Sequence, residues 1–273
     1  MTLFIGYLAA VLIGISLGLI GGGGSILTVP VLVYLFHVDP VLATAYSLFI
    51  VGLSSLVGAF PKWKAGLVDM RTAVVFGIPS IVAVFFTRIW LVPSIPNLIV
   101  NWGSLAFTKA MAMMILFAIL MLAASISMIR EKKSDQSEHE LPQVFNYPMI
   151  VVEGLVVGTL TGLVGAGGGF LIIPALVMLS KLSMKKAVGT SLLIIAAKSL
   201  IGFAGDVTEN AALMNWNLLL IITGLAIMGI FIGNLLSKKV DGEALKKGFG
   251  WFVLVMGIYI IVKEIWFPMP SAH

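Results

Sequence analysis

Two glycine clusters carry the chain's clearest potential for ligand chemistry. Gly21, Gly22, Gly23 and Gly24 run into Ser25, and Gly165, Ala166, Gly167, Gly168 and Gly169 run into Phe170. Each cluster interrupts an apolar run longer than one membrane crossing, residues 3–36 and 148–180. Glycine reaches positive φ and lets backbones approach closely, so each cluster predicts a chain reversal. A reversal inside a bilayer bares backbone groups that lipid cannot satisfy, and is tolerated only where it is buried in protein or lines a wet cavity. The arm leaving each reversal is expected to start a helix, at Ser25 and at Phe170. The free N–H groups and positive dipole end of that helix point back to the turn. Two such ends facing each other near the midplane attract an anion. Gly22, Gly23, Gly24, Gly167, Gly168 and Gly169 are therefore candidate substrate-binding residues, with Ser25 expected as an N-cap and hydroxyl donor. A competing reading is that the glycines only pack helices. It is preferred for Gly14, Gly18, Gly158 and Gly162, which are spaced four apart. The consecutive glycines favour the turn, because each weakens a continuous helix by roughly 1 kcal/mol relative to alanine. No Gly-Lys-Ser/Thr follows either cluster, so neither is a P-loop.

The runs that follow the clusters hold the other candidates. Residues seven apart share a helical face, which pairs Ser47 with Ser54 and Ser191 with Lys198. Thr44, Tyr46, Ser55, Thr190 and Ser199 adjoin those faces, and Thr190 joins the candidate set. Lys198 lies mid-way along the apolar run 187–204. A charge there costs at least about 2.5–3.5 kcal/mol to insert. Either Lys198 faces a cavity and attracts an anion, or it snorkels outward toward Asp206. The serines and threonines have a plainer use, a hydrogen bond to the preceding turn. Glu153, early in the second broken run, reads as an interfacial carboxylate, and Asp39 as the cap of a helix starting at Pro40.

Enzyme chemistry has little footing. The histidines, His37, His139 and His273, fall in a loop, a linker and a terminus, and there is no cysteine. No His-Glu-x-x-His or paired-carboxylate motif is present. No catalytic residue, metal ligand or cofactor is expected.

The elements that must position these residues follow from composition. Of 273 residues, 60% are apolar and only 11% charged, with mean hydropathy +1.11. An average soluble domain carries about a quarter charged residues, so this composition cannot coat a soluble globule. Long uncharged runs predict an all-α polytopic membrane protein rather than a barrel. The net charge of +5 reads as a bias between membrane sides, not as a nucleic-acid footprint. The first twenty residues lack a basic leader and read as part of the mature fold. Besides the two broken runs, six have spanning length: 40–60, 72–92, 105–129, 187–204, 216–236 and 244–263. Trp90, Trp102, Trp216 and Trp266 fall near run ends, where interfacial rings sit, whereas Trp251 lies inside the last run and calls for a packing partner.

The broken runs are an internal repeat. At a shift of 144, Gly14 falls on Gly158, Gly18 on Gly162, Gly21 on Gly165, Gly24 on Gly168 and Pro30 on Pro174; Ala43, Ser47, Ser55 and Gly58 fall on Ala187, Ser191, Ser199 and Gly202. The expected organisation is an N-terminal repeat 1–129, a charged cytoplasmic linker 130–147 and a C-terminal repeat 148–273. If each of the eight runs crossed once, the basic loop residues would divide almost evenly between the two sides. If each broken run goes in and returns, Lys62, Lys64, Arg71, Arg130, Lys132, Lys133, Lys181, Lys185, Lys186, Lys238, Lys239, Lys246 and Lys247 share one side, leaving Arg88, Lys109 and Lys263 on the other. That is a positive-inside pattern. It predicts two inverted repeats, each a glycine-broken U-shaped helix pair plus three spanning helices, with both termini outside and the linker inside. Whether the arms cross fully or stop midway stays open at this point.

At the two breaks the sequence resembles the TauE/SafE family, the sulfite exporter or toluene-sulfonate uptake permeases. The residues that carry this are Gly18-Leu-Ile-Gly-Gly-Gly-Gly-Ser-Ile-Leu-Thr-Val-Pro30 with Ala43-Thr-Ala-Tyr-Ser47, and Gly162-Leu-Val-Gly-Ala-Gly-Gly-Gly-Phe-Leu-Ile-Ile-Pro174 with Ala187-Val-Gly-Thr-Ser191. The resemblance implies a bacterial inner-membrane transporter of sulfur-containing anions or small organic acids such as sulfite, sulfonates, sulfoacetate or thiosulfate. Tyr46 stands opposite Thr190 and Ser54 opposite Lys198, which implies an asymmetric site. The alternative from another class is a structural or assembly subunit that transports nothing.

Overall fold

The computed structural model describes residues 2–102, 105–130, 147–178, 182–236 and 242–266. The charged linker residues 131–146 and the basic residues Lys181, Lys238 and Lys239 lie outside them.

The described chain is almost wholly helical. α1 is Thr2–Ile20; a 3-10 segment, Gly21–Leu27, then leads into α2, Thr28–Tyr34. α3 is Pro40–Lys64, and α4, Met70–Phe86, continues through a π-helical turn, Thr87–Leu91, into α5, Val92–Ser94. After α6, Lys109–Arg130, come α7, Tyr147–Val164, α8, Gly169–Met178, α9, Met184–Asn210, α10, Trp216–Leu236, and α11, Gly242–Trp266. Among the described residues, seven helices are long and apolar enough to cross a membrane: α1, α3, α4 with its extension, α6, α7, α9 and α10. Their outward faces are apolar, as Leu8 and Leu12 on α1, Ile78 and Val82 on α4, and Met228 and Phe231 on α10 illustrate. Such faces suit hydrocarbon and would be unstable in water.

Three local expectations need correction. Leu98–Trp102 and Leu105–Thr108 form a short antiparallel hairpin, β1 and β2, with Val100 opposite Phe107 and Trp102 opposite Leu105. The run assigned to a helix from 105 therefore begins as a strand, its β-branched and aromatic residues favouring the pleat. Trp251 is 57% exposed, so the fold does not enclose it. Arg88 is not a loop residue. It sits in the π-helical turn at 2% exposure.

Local chemistry explains the helix starts. Asp39 Oδ1 accepts the N–H groups of Val41 and Leu42, with Pro40 in the first turn. Asp69 Oδ1 accepts from Thr72 at the start of α4, and Asn215 Oδ1 from Leu218 at the start of α10. The last two caps are held from another helix: the Asp69 N–H donates to Thr190 Oγ1 at 2.9 Å, and the Asn215 N–H donates to the Tyr46 hydroxyl.

The helix packing pairs the two parts of the chain. α3 lies along α9 at the centre, and α6 along α11. α1 packs on α10 and α7 on α4, while α10 also touches α3 and α4 touches α9. Gly14, Gly18, Gly229 and Gly233 make the α1–α10 contact, with no room for a Cβ at any of them. In the α4–α7 contact a Cβ on Gly158 would stand 2.5 Å from the Ser80 carbonyl oxygen, and one on Gly162 would stand 2.9 Å from Thr87 Cβ. Gly14, Gly18, Gly158 and Gly162 therefore serve close helix packing.

Candidate functional site

The first break reverses at Gly21, where φ is +73°. The second reverses at Gly165, Gly167 and Gly168, with φ of +71°, +64° and +72°. Gly21 and Gly165, 144 residues apart, thus adopt the same left-handed conformation, which costs a glycine little and any other residue more. The arms beyond are short: α2 has 7 residues and α8 has 10. An α-helical span needs about 20, a length that neither α-helical arm reaches among the described residues. Gly22 and Gly169 meet backbone to backbone, and a Cβ on either would overlap the other residue's Cα. The two breaks are in direct contact at the core.

At the second break, Gly165 N–H donates to the Thr161 carbonyl at 2.9 Å, and Leu171 and Ile172 donate to the Gly168 carbonyl. The N–H groups of Ala166, Gly167 and Gly168 find no acceptor among the described residues. Lys198 closes this turn. Its side chain is fully buried, its Nζ donates to Thr161 Oγ1 at 2.9 Å, and a Cβ added to Gly168 would lie 2.7 Å from that Nζ. Lys198 makes no ion pair among the described residues. It does not snorkel to Asp206, which pairs instead with Arg88.

The serines divide. Ser47 and Ser54 on α3 are fully buried, and their hydroxyls have no partner among the described residues; the same holds for Ser55 and Ser199. These hydroxyls forgo the usual bond to the preceding turn. Ser191 makes that bond, to the Val188 carbonyl at 2.9 Å. Thr190 is buried but is occupied at the start of α4, away from the glycine breaks. Ser25 is a correction. It lies inside the 3-10 segment, and its Oγ donates to the Gly22 carbonyl at 2.7 Å rather than capping a helix. The residue before α2 is Leu27, which has no side-chain cap. Gly24 packs against the α1 backbone, where a Cβ would meet Leu17 N at 2.5 Å. Gly23 lies in the same 3-10 segment.

Sequence reasoning missed Thr161 and misplaced Arg88. Thr161 stands four residues before Gly165 and supplies the hydroxyl that holds Lys198. Arg88 Nη1 donates to Thr44 Oγ1 at 2.9 Å and to Asp206 Oδ1 at 3.3 Å. Thr44 in turn is the residue against which Gly165 closes. The signal for Arg88 was its setting, since Phe85, Phe86, Ile89, Trp90 and Leu91 surround it with no turn residue nearby.

The model of the family described as sulfite exporter TauE/SafE matches residues 6–260. A probable membrane transporter protein of Xylella fastidiosa strain Temecula1 is 30% identical over 257 residues, covering 93% of this chain and 92% of its own. One from Methanocaldococcus jannaschii is 28% identical and covers 92% of each chain. The probable membrane transporter protein YdhB of Bacillus subtilis is 29% identical over 86% of this chain and 91% of its own. No solved structure gives a significant match. A match across nearly the whole chain, joined to seven helices among the described residues long and apolar enough to span, places this multi-pass membrane protein in the sulfite exporter TauE/SafE family of membrane transporters.

Proposed function

We propose that this chain is a secondary transporter of small anions, sulfur-containing acids among them, with the site at the two glycine breaks. The observation that carries the reading is Lys198. Among the described residues, its fully buried ammonium holds one hydroxyl partner and no carboxylate, beside three backbone N–H groups of the second break that have no acceptor. A buried charge without a counter-ion is costly, and in a membrane helix it marks an ion or substrate path. An anion lodged against Lys198 Nζ and the N–H groups of Ala166, Gly167 and Gly168 answers both deficits at once. Ser47, Ser54 and Ser191 on the α3–α9 contact and the Gly22–Gly24 break supply further polar groups, and Thr190 contributes by fixing the start of α4.

Alternating access follows from inverted repeats, 1–129 and 148–273, joined by a cytoplasmic linker. Three facts support that duplication. Gly21 and Gly165 share one conformation. A Cβ on Gly21 would meet Val188 and one on Gly165 would meet Thr44, positions again 144 apart. The packing pairs also exchange under the repeat, α1 on α10 answering α7 on α4. Ser47, Ser54, Ser191 and Lys198 are closed from solvent, so transport requires the arms to part from α3 and α9 on alternate sides. The positive-inside pattern supports termini on the outside of the cytoplasmic membrane.

Uptake or efflux of labelled sulfite and methanesulfonate in proteoliposomes tests the reading. The wild type moves one or both, and Lys198→Ala at normal folded yield loses that flux. Unaltered flux in Lys198→Ala moves the site elsewhere. Background flux in the wild type for a wide panel of anions favours the assembly-subunit reading.

A further inference from the structure

We propose that Arg88 is a second anion station, which grips a carboxylate, sulfonate or sulfite group through its Nε and Nη2 and is held at moderate affinity by Asp206. The inference rests on the anion-transport reading and adds to it a residue outside the set found from sequence.

Arg88 lies in the π-helical turn Thr87–Leu91 at the end of α4, and its side chain is fully buried. Such turns in membrane and soluble helices cluster at functional sites. Only one guanidinium nitrogen is used: Nη1 is shared between Thr44 Oγ1 and Asp206 Oδ1, while Nε and Nη2 have no acceptor among the described residues. A guanidinium–carboxylate pair that serves stability is commonly bidentate, with two parallel bonds of about 2.7–2.9 Å. Here the contact is single and 3.3 Å long. The unused Nε/Nη2 edge is itself a two-pronged donor, matched to two oxygens on one acid group. Buried donors left without acceptors call for an absent ion or ligand.

The location ties this edge to transport. Thr44 accepts from Arg88 and also backs Gly165, at the start of the second break. Lys198 backs Gly168, at its end. One buried cation thus flanks each end of a four-residue turn, and among the described residues only one of the two has a carboxylate. Asp206 neutralises Arg88 enough for the empty protein to persist, and its charge repels a bound anion enough for that anion to leave. The unused edge favours planar or pyramidal oxyanions over a spherical halide, because an oxyanion places one oxygen on each prong whereas chloride must share one atom between both.

Binding of sodium methanesulfonate, sulfite, acetate and chloride to the detergent-purified full chain, read by calorimetry and by thermal shift, tests this. Asp206→Asn removes the repulsion and leaves Arg88 in need of an anion. It is expected to bind methanesulfonate about tenfold more tightly than the wild type, equivalent to about 1.4 kcal/mol, and to gain more thermal stability from it. Arg88→Lys keeps the charge and loses the fork, so its preference for oxyanions over chloride falls about tenfold. Unchanged oxyanion affinity in both variants overturns the proposal and reduces the pair to a structural clasp; Asp206→Asn alone decides if Arg88→Lys does not fold. Loss of binding in Lys198→Ala beside unchanged Asp206→Asn and Arg88→Lys leaves the transport reading standing and removes only this station. The reverse pattern keeps the station and removes Lys198 from the site. No oxyanion binding by the wild type overturns both.

Discussion

Gly22 and Gly169 touch through their backbones, so the two chain reversals form one contact in the middle of the protein. A methyl group at either position would overlap the opposite Cα, and at Gly22 also Ile195 Cδ1. Backbone cannot yield as a flexible side-chain tip can. Overpacking of this kind costs typically about 1–3 kcal/mol. Gly169→Ala is therefore expected to lower the thermal midpoint in detergent and to abolish transport. Gly224→Ala on α10 is the control, because nothing lies within 4 Å of its added Cβ. It is expected to leave both properties unchanged or slightly improved. Equal effects of the two substitutions would show that the contact at the breaks is not tight.

Thr161 is the second test, because it alone supplies the acceptor for Lys198 among the described residues. Its hydroxyl also donates to the Gly158 carbonyl at 3.2 Å. Thr161→Val keeps the shape and removes the acceptor, leaving the ammonium buried with no hydrogen bond. That costs about 1–3 kcal/mol. Thr161→Ser restores the hydroxyl. Chemical unfolding should separate the valine variant from the serine variant by that amount, and added methanesulfonate should narrow the gap by giving Lys198 a new partner. A gap that methanesulfonate leaves unchanged would mean the anion does not reach the lysine.

These relationships show how far residues alone lead. Gly21 and Gly165 were legible because a run of glycines has few uses other than a reversal or a close approach, and here it serves both. The spans were legible because about 20 apolar residues have one obvious use. Lys198 was legible because a lone charge amid apolar residues must be answered from elsewhere. Its partner Thr161 was not, since a single threonine on another helix leaves no periodic trace. Arg88 was misread because a basic residue near the end of an apolar run ordinarily marks a loop. Only the packing of α4 on α9 reveals that Asp206 meets it. Thr190 is a candidate because it adjoins the face of Ser191 and Lys198; the hydrogen bonds of Thr190 and of Tyr46, its counterpart in the repeat, left no trace in the sequence. Both accept the backbone N–H of a helix cap, Thr190 from Asp69 and Tyr46 from Asn215. The serine at 25 was assigned to a helix start, but the 3-10 segment begins four residues earlier and draws its hydroxyl to Gly22.

Tyr34, at the end of the first arm, is clasped by α11. Its hydroxyl donates to Glu264 Oε1 at 3.1 Å, Lys263 Nζ stands 3.8 Å from its ring centre, and Tyr259 packs edge-on against it. Tyr34→Phe removes only the hydrogen bond, though it leaves the buried carboxylate short of a donor. It should cost about 1.5–3 kcal/mol, the range for bonds to charged groups. Tyr34→Ala also removes the ring and the cation–π contact, and should cost about 3–5 kcal/mol. Thermal or chemical unfolding in detergent measures both. A phenylalanine variant as stable as the wild type would show that Glu264 draws no net stability from the hydroxyl.

Membrane sidedness gives the broadest test, because the inverted arrangement assigns two exposed residues to opposite faces. His37 lies in the turn after the first arm, and Lys185 lies in the first turn of α9 after the second. A parallel duplication would put these equivalent turns on the same face; an inverted one separates them. The charges favour separation, since His37 has no basic neighbour whereas Lys185 adjoins Lys186. The chain has no cysteine, so His37→Cys and Lys185→Cys each create a single label site without background. An impermeant maleimide added to intact cells should modify the cysteine at 37 and spare the one at 185, and inside-out vesicles should reverse the result. Labelling of both from one side would exclude inversion, and with it a midplane site built from two opposed breaks.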